Sequence, residues 1–115
     1  VTEDAAATPT DWLTLPEISE LLDESLGRVK RLLDESYLVA SRRHGAPRVP
    51  AVFIADGKPL AALRGTVIVL HDAGFDDEET IDWLLTPEDS IGSAPIEALR
   101  EGRKSEVRRV AQTLA

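Results

Sequence analysis

Two helix starts set one short turn apart constrain this chain more than any other feature. Thr14 precedes Leu15, Pro16 and Glu17. A threonine hydroxyl in that place caps the first backbone N–H groups, Pro16 sits where its missing N–H costs nothing, and Glu17 completes a capping box. Leu15, Ile18, Leu21 and Leu22 then share one face, which predicts a short helix ending near Asp23. Asp23, Glu24 and Ser25 form a tight connection, and Ser25 is placed to cap a second helix over 26–36. On that second helix Leu26, Val29, Leu32, Leu33 and Ser36 cluster on one side. Arg28, Arg31, Asp34 and Glu35 lie on the other, with Lys30 at the flank. Two short helices joined in this way form a helix-turn-helix.

The next segment reads as a hairpin. Residues 37–43 are expected to form a strand, His44 to Pro47 a turn, and 48–54 the return strand. Pro50 confines part of the return strand to a sheet edge, and Asp56-Gly57 marks a second turn. A hairpin directly after a helix-turn-helix is a wing. Trp12, Leu15, Ile18, Leu21, Val29, Leu33 and Tyr37 are the expected core of this half.

The rest of the chain is helical in pattern. Leu60, Leu63, Val67 and Leu70 form a stripe ended by Gly74. Asp76 or Asp77 caps a helix that carries Ile81, Trp83, Leu84 and Leu85 and stops at Thr86-Pro87. After a loop, Ser93 is the expected cap of a short helix, with Pro95 early in it and Gly102 past its end. A last helix over about 104–114 carries Val107, Val110 and Leu114. The fold class expected is mainly α with a small β-hairpin: a flexible acidic tail (1–11), a winged helix-turn-helix (12–58) and a small helical domain (59–115). At 115 residues and 43% hydrophobic composition the chain has enough apolar material for one modest core.

Charge narrows the function. Residues 1–24 hold seven carboxylates and no Lys or Arg, whereas Arg28, Lys30, Arg31, Arg42, Arg43 and Arg48 lie together in 25–50 against only Asp34 and Glu35. The whole chain carries a formal charge of −8. An acidic protein repels polyanions over most of its surface, so a basic patch confined to one helix and its wing points to a specific docking face. The plainer readings are a solvated helix face and charge protection of an edge strand. Strand alternation would send Arg42 and Arg43 to opposite faces, so only one of them would face a ligand together with the helix.

Other classes are disfavoured. The absence of cysteine excludes disulfides, zinc–thiolate sites and a thiol nucleophile. His71 and Asp72 point about 100° apart on a helix, too far for a relay. Asp76, Asp77, Glu78 and Glu79 lack the spacing of a calcium loop and are explained by the helix dipole at a helix start. No nucleophile pattern or glycine-rich phosphate loop is present. The expectation is therefore a protein that is not an enzyme and has no cofactor, no metal and no membrane partner. Its acidic N-terminus lacks a hydrophobic stretch, so no signal peptide is expected and the chain is placed in the cytoplasm. Thr8 and Thr10, on either side of Pro9 in the tail, are candidate targets of a Ser/Thr protein kinase, set against the plainer reading of a disordered tail.

Three resemblances sharpen these expectations. WLTLPEISELL (12–22), VKRLL (29–33), Arg42-Arg43 and RVP (48–50) resemble the winged helix-turn-helix of excisionases and MerR-type regulators. LRGT (63–66), AGF (73–75), IDWLLTP (81–87), Ile91-Gly92 and PIEALREG (95–102) look like the helical domain of antitoxins that bind RES-type toxins. The two halves in this order, behind an acidic Thr-bearing tail, resemble actinobacterial winged-helix DNA-binding proteins that are substrates of the Ser/Thr kinase PknL. The first resemblance implies a second helix in the major groove of double-stranded DNA and a wing along its backbone or minor groove. On that basis Arg28 and Arg31 are the expected groove contacts, and Lys30, Arg42, Arg43 and Arg48 the phosphate contacts. The protein would then be a transcriptional regulator, nucleoid-associated when bound to DNA. The second resemblance implies the alternative, an antitoxin-like adaptor with a degenerate winged helix, which would present Trp83, Leu85 and Ile91 to a protein partner.

Overall fold

A computed structural model describes residues 11–115. Strand β1 (Trp12–Thr14) runs into α1 (Leu15–Leu22), and α2 (Leu26–Asp34) follows after a short turn. The start of α1 is capped as the side-chain chemistry requires. The Thr14 hydroxyl accepts the Glu17 amide at 3.3 Å, and the Glu17 carboxylate accepts the Thr14 amide at 2.7 Å. Asp23 closes α1 in the left-handed region at φ 56°, and the Ser25 hydroxyl accepts the Arg28 amide at the start of α2. Ile18 and Val29 are fully buried where the two helices meet the core.

The wing differs from the expected hairpin. Residues 37–43 form no strand; a single pair of backbone hydrogen bonds joins Ser41 to Arg48. Two causes are visible. Ser36 ends α2 at φ 67°, and Leu38 and Val39 then both enter the core in succession, which breaks the alternation a strand requires. Strand β2 (Arg48–Pro50) instead takes β1 as its partner, antiparallel, with Trp12 opposite Pro50 and Thr14 opposite Arg48. A 3-10 turn (Ala51–Phe53) leads to the two-residue strands β3 (Ile54–Ala55) and β4 (Lys58–Pro59), joined through Asp56 and Gly57 at positive φ.

Four helices complete the chain: α3 (Leu63–Asp72), α4 (Asp77–Leu85), α5 (Pro95–Arg100) and α6 (Lys104–Gln112). Of the two candidate caps of α4, Asp76 serves. Its carboxylate accepts the Glu79 amide at 2.8 Å, and Glu79 returns the bond at 3.0 Å. Asp76→Ala is expected to lower stability by about 1 kcal/mol, read as a fall in the urea midpoint, with a smaller effect from Asp77→Ala. Ser93 does not cap α5; that position belongs to Ala94, and the Ser93 hydroxyl donates to the Ala94 carbonyl. Helices α3 and α6 approach closely at Gly65, where an added Cβ would run into the Arg108 guanidinium.

One hydrophobic cluster joins both halves. Ile18, Val29, Val49 and Phe53 from the first lie in it with Leu63, Leu70, Leu84 and Ile96 from the second. Two residues expected in the core are outside it. Leu21 is 52% exposed at the last turn of α1, where Leu22 takes the inward position, and Tyr37 is 40% exposed just after the left-handed Ser36.

Candidate nucleic-acid interface

The solvent side of α2 is polar because Val29 and Leu32 face the core. Arg28, Lys30 and Arg31 are exposed, and none has a side-chain partner among the described residues. Asp34 and Glu35 are exposed beside them. Arg28 lies on the flank that borders an open groove, together with Leu22, Glu24, Tyr37 and Lys58. The opposite flank borders a small recess lined by Leu33, Asp34 and Arg42. The recognition-type helix therefore has basic residues across its face and the wing turn at one side.

The six basic residues singled out from sequence do not share one environment. Arg42 is exposed, with no side-chain partner among the described residues. Arg43 points the other way: its Nη2 donates to Glu78 Oε1 at 2.7 Å and to Asp82 Oδ1 at 3.0 Å, and its Nε donates to Glu78 Oε1 at 3.0 Å. Its guanidinium carbon also lies 5.8 Å from the centroid of the Trp12 ring, against which His44 packs edge-on. Arg48 is half-buried on β2, and its Nε is buried without a hydrogen-bond partner.

Residues distant in sequence set this geometry. Arg64 Nε donates to the Glu35 carbonyl at 2.8 Å and its guanidinium lies 4.9 Å from the Tyr37 ring centroid, so the start of α3 fastens the end of α2. Arg100 Nη1 donates to the Val52 and Ile54 carbonyls at 2.9 and 3.0 Å, fixing the turn after β2. Glu78 on α4 holds the wing. Burial pushes its carboxyl up, but hydrogen bonds from the Arg42 amide, Ser41 and Arg43, with the Arg43 charge, hold it below the ordinary carboxylate value. A carboxylate held low in the folded state stabilises fully above its unfolded pKa, about 4.3, and that contribution is lost as pH falls through the folded value. An acid titration of the Arg42 amide resonance is therefore expected to show its midpoint below that of an unperturbed glutamate.

The residues proposed to face a protein partner are not displayed. Leu85 and Ile91 are 6% and 5% exposed and belong to the core, and Trp83 is half-buried. The apolar run in α4 and the following loop is covered by the packing of α4 on α5 and of α5 on α6, which takes Leu85 and Ile91 out of the surface the adaptor reading would use. Thr8 and Thr10 lie outside the described residues. Among the described residues, no helix is long and apolar enough to cross a membrane.

A helix-turn-helix followed by a short β-paired turn, with basic residues on the second helix and on the turn, defines a winged helix-turn-helix protein. The family model described as the winged helix-turn-helix domain of DNA-binding protein Rv2175c matches residues 1–54. That described as the Rv2175c C-terminal domain of unknown function matches residues 60–115. DNA-binding protein Rv2175c of Mycobacterium tuberculosis (strain ATCC 25618 / H37Rv) is 35% identical over 114 residues, covering 88% of this chain and 78% of that protein. The NMR structure of Rv2175c superposes with a TM-score of 0.84 at 32% identity, over 98% of this chain and 86% of the other. The chain belongs to the Rv2175c family.

Proposed function

We propose that this protein binds double-stranded DNA and regulates transcription, with residues 12–58 making the contacts and 59–115 holding them in place. The observation that carries this reading is the set of exposed side chains without partners among the described residues, Arg28, Lys30, Arg31 and Arg42, gathered on α2 and the wing turn of a protein whose net charge is −8. In such a fold the first turns of the second helix meet base edges in the major groove, and arginine reads guanine there by paired hydrogen bonds. Arg28 and Arg31 take that role. Lys30, Arg42 and Arg48 contact phosphates, which supply affinity and salt dependence. The name of the M. tuberculosis relative supports the ligand class. Binding to the chromosome places the protein in the cytoplasm on the nucleoid. Phosphate on Thr8 or Thr10 would add about −1.5 to −2 of charge shortly before α1 and oppose DNA binding. Unchanged phosphorylation of a Thr8→Ala/Thr10→Ala variant by the cognate kinase would remove that part of the reading.

Fluorescence anisotropy on a labelled duplex, titrated in salt, tests the core of the proposal. The expected result is micromolar or tighter binding whose logarithm falls linearly with log salt. No binding at low salt overturns it. The regulatory part is tested in cells: occupancy mapped along the chromosome should fall at promoters whose transcripts change when the protein is depleted, and occupancy without transcript change overturns it.

A further inference from the structure

The wing turn is held from outside, by the helical half. Between the Ser41–Arg48 pair and its tip there is no further ladder; the Gly45 amide closes the turn on the Arg42 carbonyl at 3.1 Å. A six-residue loop on one bridge has little backbone pairing to fix its orientation, and its ring contacts among the described residues are those of Trp12 with His44 and Arg43 alone. Glu78 supplies what the ladder lacks. It accepts four hydrogen bonds: from the Ser41 hydroxyl at 2.8 Å, the Arg42 amide at 2.9 Å, and Arg43 Nε and Nη2 at 3.0 and 2.7 Å. Ser41 is fully buried, so its hydroxyl needs such a partner. Asp82, one turn further along α4, adds a second carboxylate to the same guanidinium.

We infer that Glu78 is a positioning residue for DNA binding, setting the wing turn so that Arg42 stands beside α2 while Arg43 serves as a strut between the halves. The inference rests on the DNA-binding reading above. It gives the helical half a mechanical role in recognition. A phosphate oxygen would have to displace two carboxylates to capture Arg43, whereas Arg42 has no such competitor among the described residues. The inference also reverses a sign. By charge alone, removing a carboxylate near the DNA face tightens binding to a polyanion. A positioning role requires the opposite.

The test uses the full chain and five forms: wild type, Glu78→Ala, Glu78→Gln, Arg43→Ala and Arg42→Ala. Each is titrated against the same labelled duplex across salt, at a temperature where circular dichroism shows it folded. Glu78→Ala is expected to weaken binding about tenfold, the effect of losing one or two phosphate contacts. Glu78→Gln should recover part of this, since its amide oxygen can replace one of the two carboxylate oxygens, accepting either from Ser41 and Arg43 or from the Arg42 amide. Arg42→Ala should reduce the salt slope by about 1, and Arg43→Ala should weaken binding with the slope unchanged. Equal or tighter binding by Glu78→Ala, or a slope reduced by about 1 in Arg43→Ala, overturns the inference. Should Glu78→Ala fail to fold, the Glu78→Gln affinity and the Arg43→Ala slope decide it. A measurement without DNA separates the two readings: the exchange rate of the Arg43 Nε–H proton by NMR. Slow exchange relative to Arg28 with no DNA binding by the wild type overturns the DNA reading, and this inference with it. Exchange as fast as that of Arg28 overturns the strut while leaving the DNA reading standing.

Discussion

Arg28→Ala/Arg31→Ala is expected to cost about 2–6 kcal/mol in duplex binding, a loss of at least thirtyfold near physiological salt. Each arginine loses a base-edge contact of about 1–3 kcal/mol. Both side chains are exposed and neither has a hydrogen-bond or ion-pair partner in the described structure, so folding stability should stay within about 0.5 kcal/mol of the wild type. That separation makes the result informative: affinity falls while the thermal midpoint does not move. Arg109→Ala on α6 is the control. It removes an exposed base from the helical half and should leave binding unchanged. Anisotropy on one duplex and calorimetric melting of the three proteins settle the matter, and equal affinity of the double variant and the wild type would falsify the placement of α2 in the groove.

Helix starts were the most legible part of the chain because a cap is local chemistry. Thr14, Ser25 and Asp76 each carry an oxygen next to orphan amides, and each accepts one. Where the local signal was shared between neighbours, the reading slipped: Ser93 has the chemistry of a cap, yet Pro95 starts the helix one residue too late for it to serve. The expected strand over 37–43 failed for a tertiary reason. Leu38 and Val39 are both claimed by a core to which α3 and α4 contribute, and the free edge of β2 was claimed by β1, too short at three residues to show a period.

The basic helix face was visible because it needs only helical spacing and composition. That Arg42 and Arg43 point apart was expected from strand alternation, although no strand forms there; that Arg43 is the one turned onto α4 was not visible. Arg43 meets Glu78 and Asp82 across 35 and 39 residues of sequence, a separation at which no periodicity speaks. One signal did exist. Glu78 and Asp82 are four apart, so they present two carboxylates on one face of α4, and the helix dipole accounts for the first turn alone. A second-turn carboxylate aligned with a first-turn one is mildly repulsive, and a cation from elsewhere in the chain relieves that repulsion. The apolar run through Trp83, Leu85 and Ile91 carried the converse ambiguity. An apolar helix face looks the same whether α5 and α6 or another protein covers it, and here the chain's own helices do.

Phe53→Ala should be the most destabilising single change in the molecule, at about 3–5 kcal/mol. Phe53 is fully buried in the 3-10 turn at the junction of the two halves. Its own carbonyl accepts the Leu60 amide at 2.9 Å, and the carbonyls on either side are held by Arg100. With the backbone pinned at three consecutive carbonyls, the turn has little freedom to collapse into the space the ring leaves, which places the cost toward the upper part of the range. Small domains have only about 5–15 kcal/mol of stability in all, so the variant should sit close to unfolding at 37 °C. The chain carries its own reporters. Trp12 lies in the winged half and Trp83 in the helical half, and these are its only two tryptophans. Single-tryptophan versions of wild type and variant, unfolded in urea, should give coincident transitions, because the core that Phe53 joins runs through both halves. A Phe53→Ala protein in which the Trp12 signal melts early while Trp83 keeps its wild-type midpoint would mean that the halves fold separately. The grip of α4 on the wing would then be a contact between two domains, able to open without unfolding either.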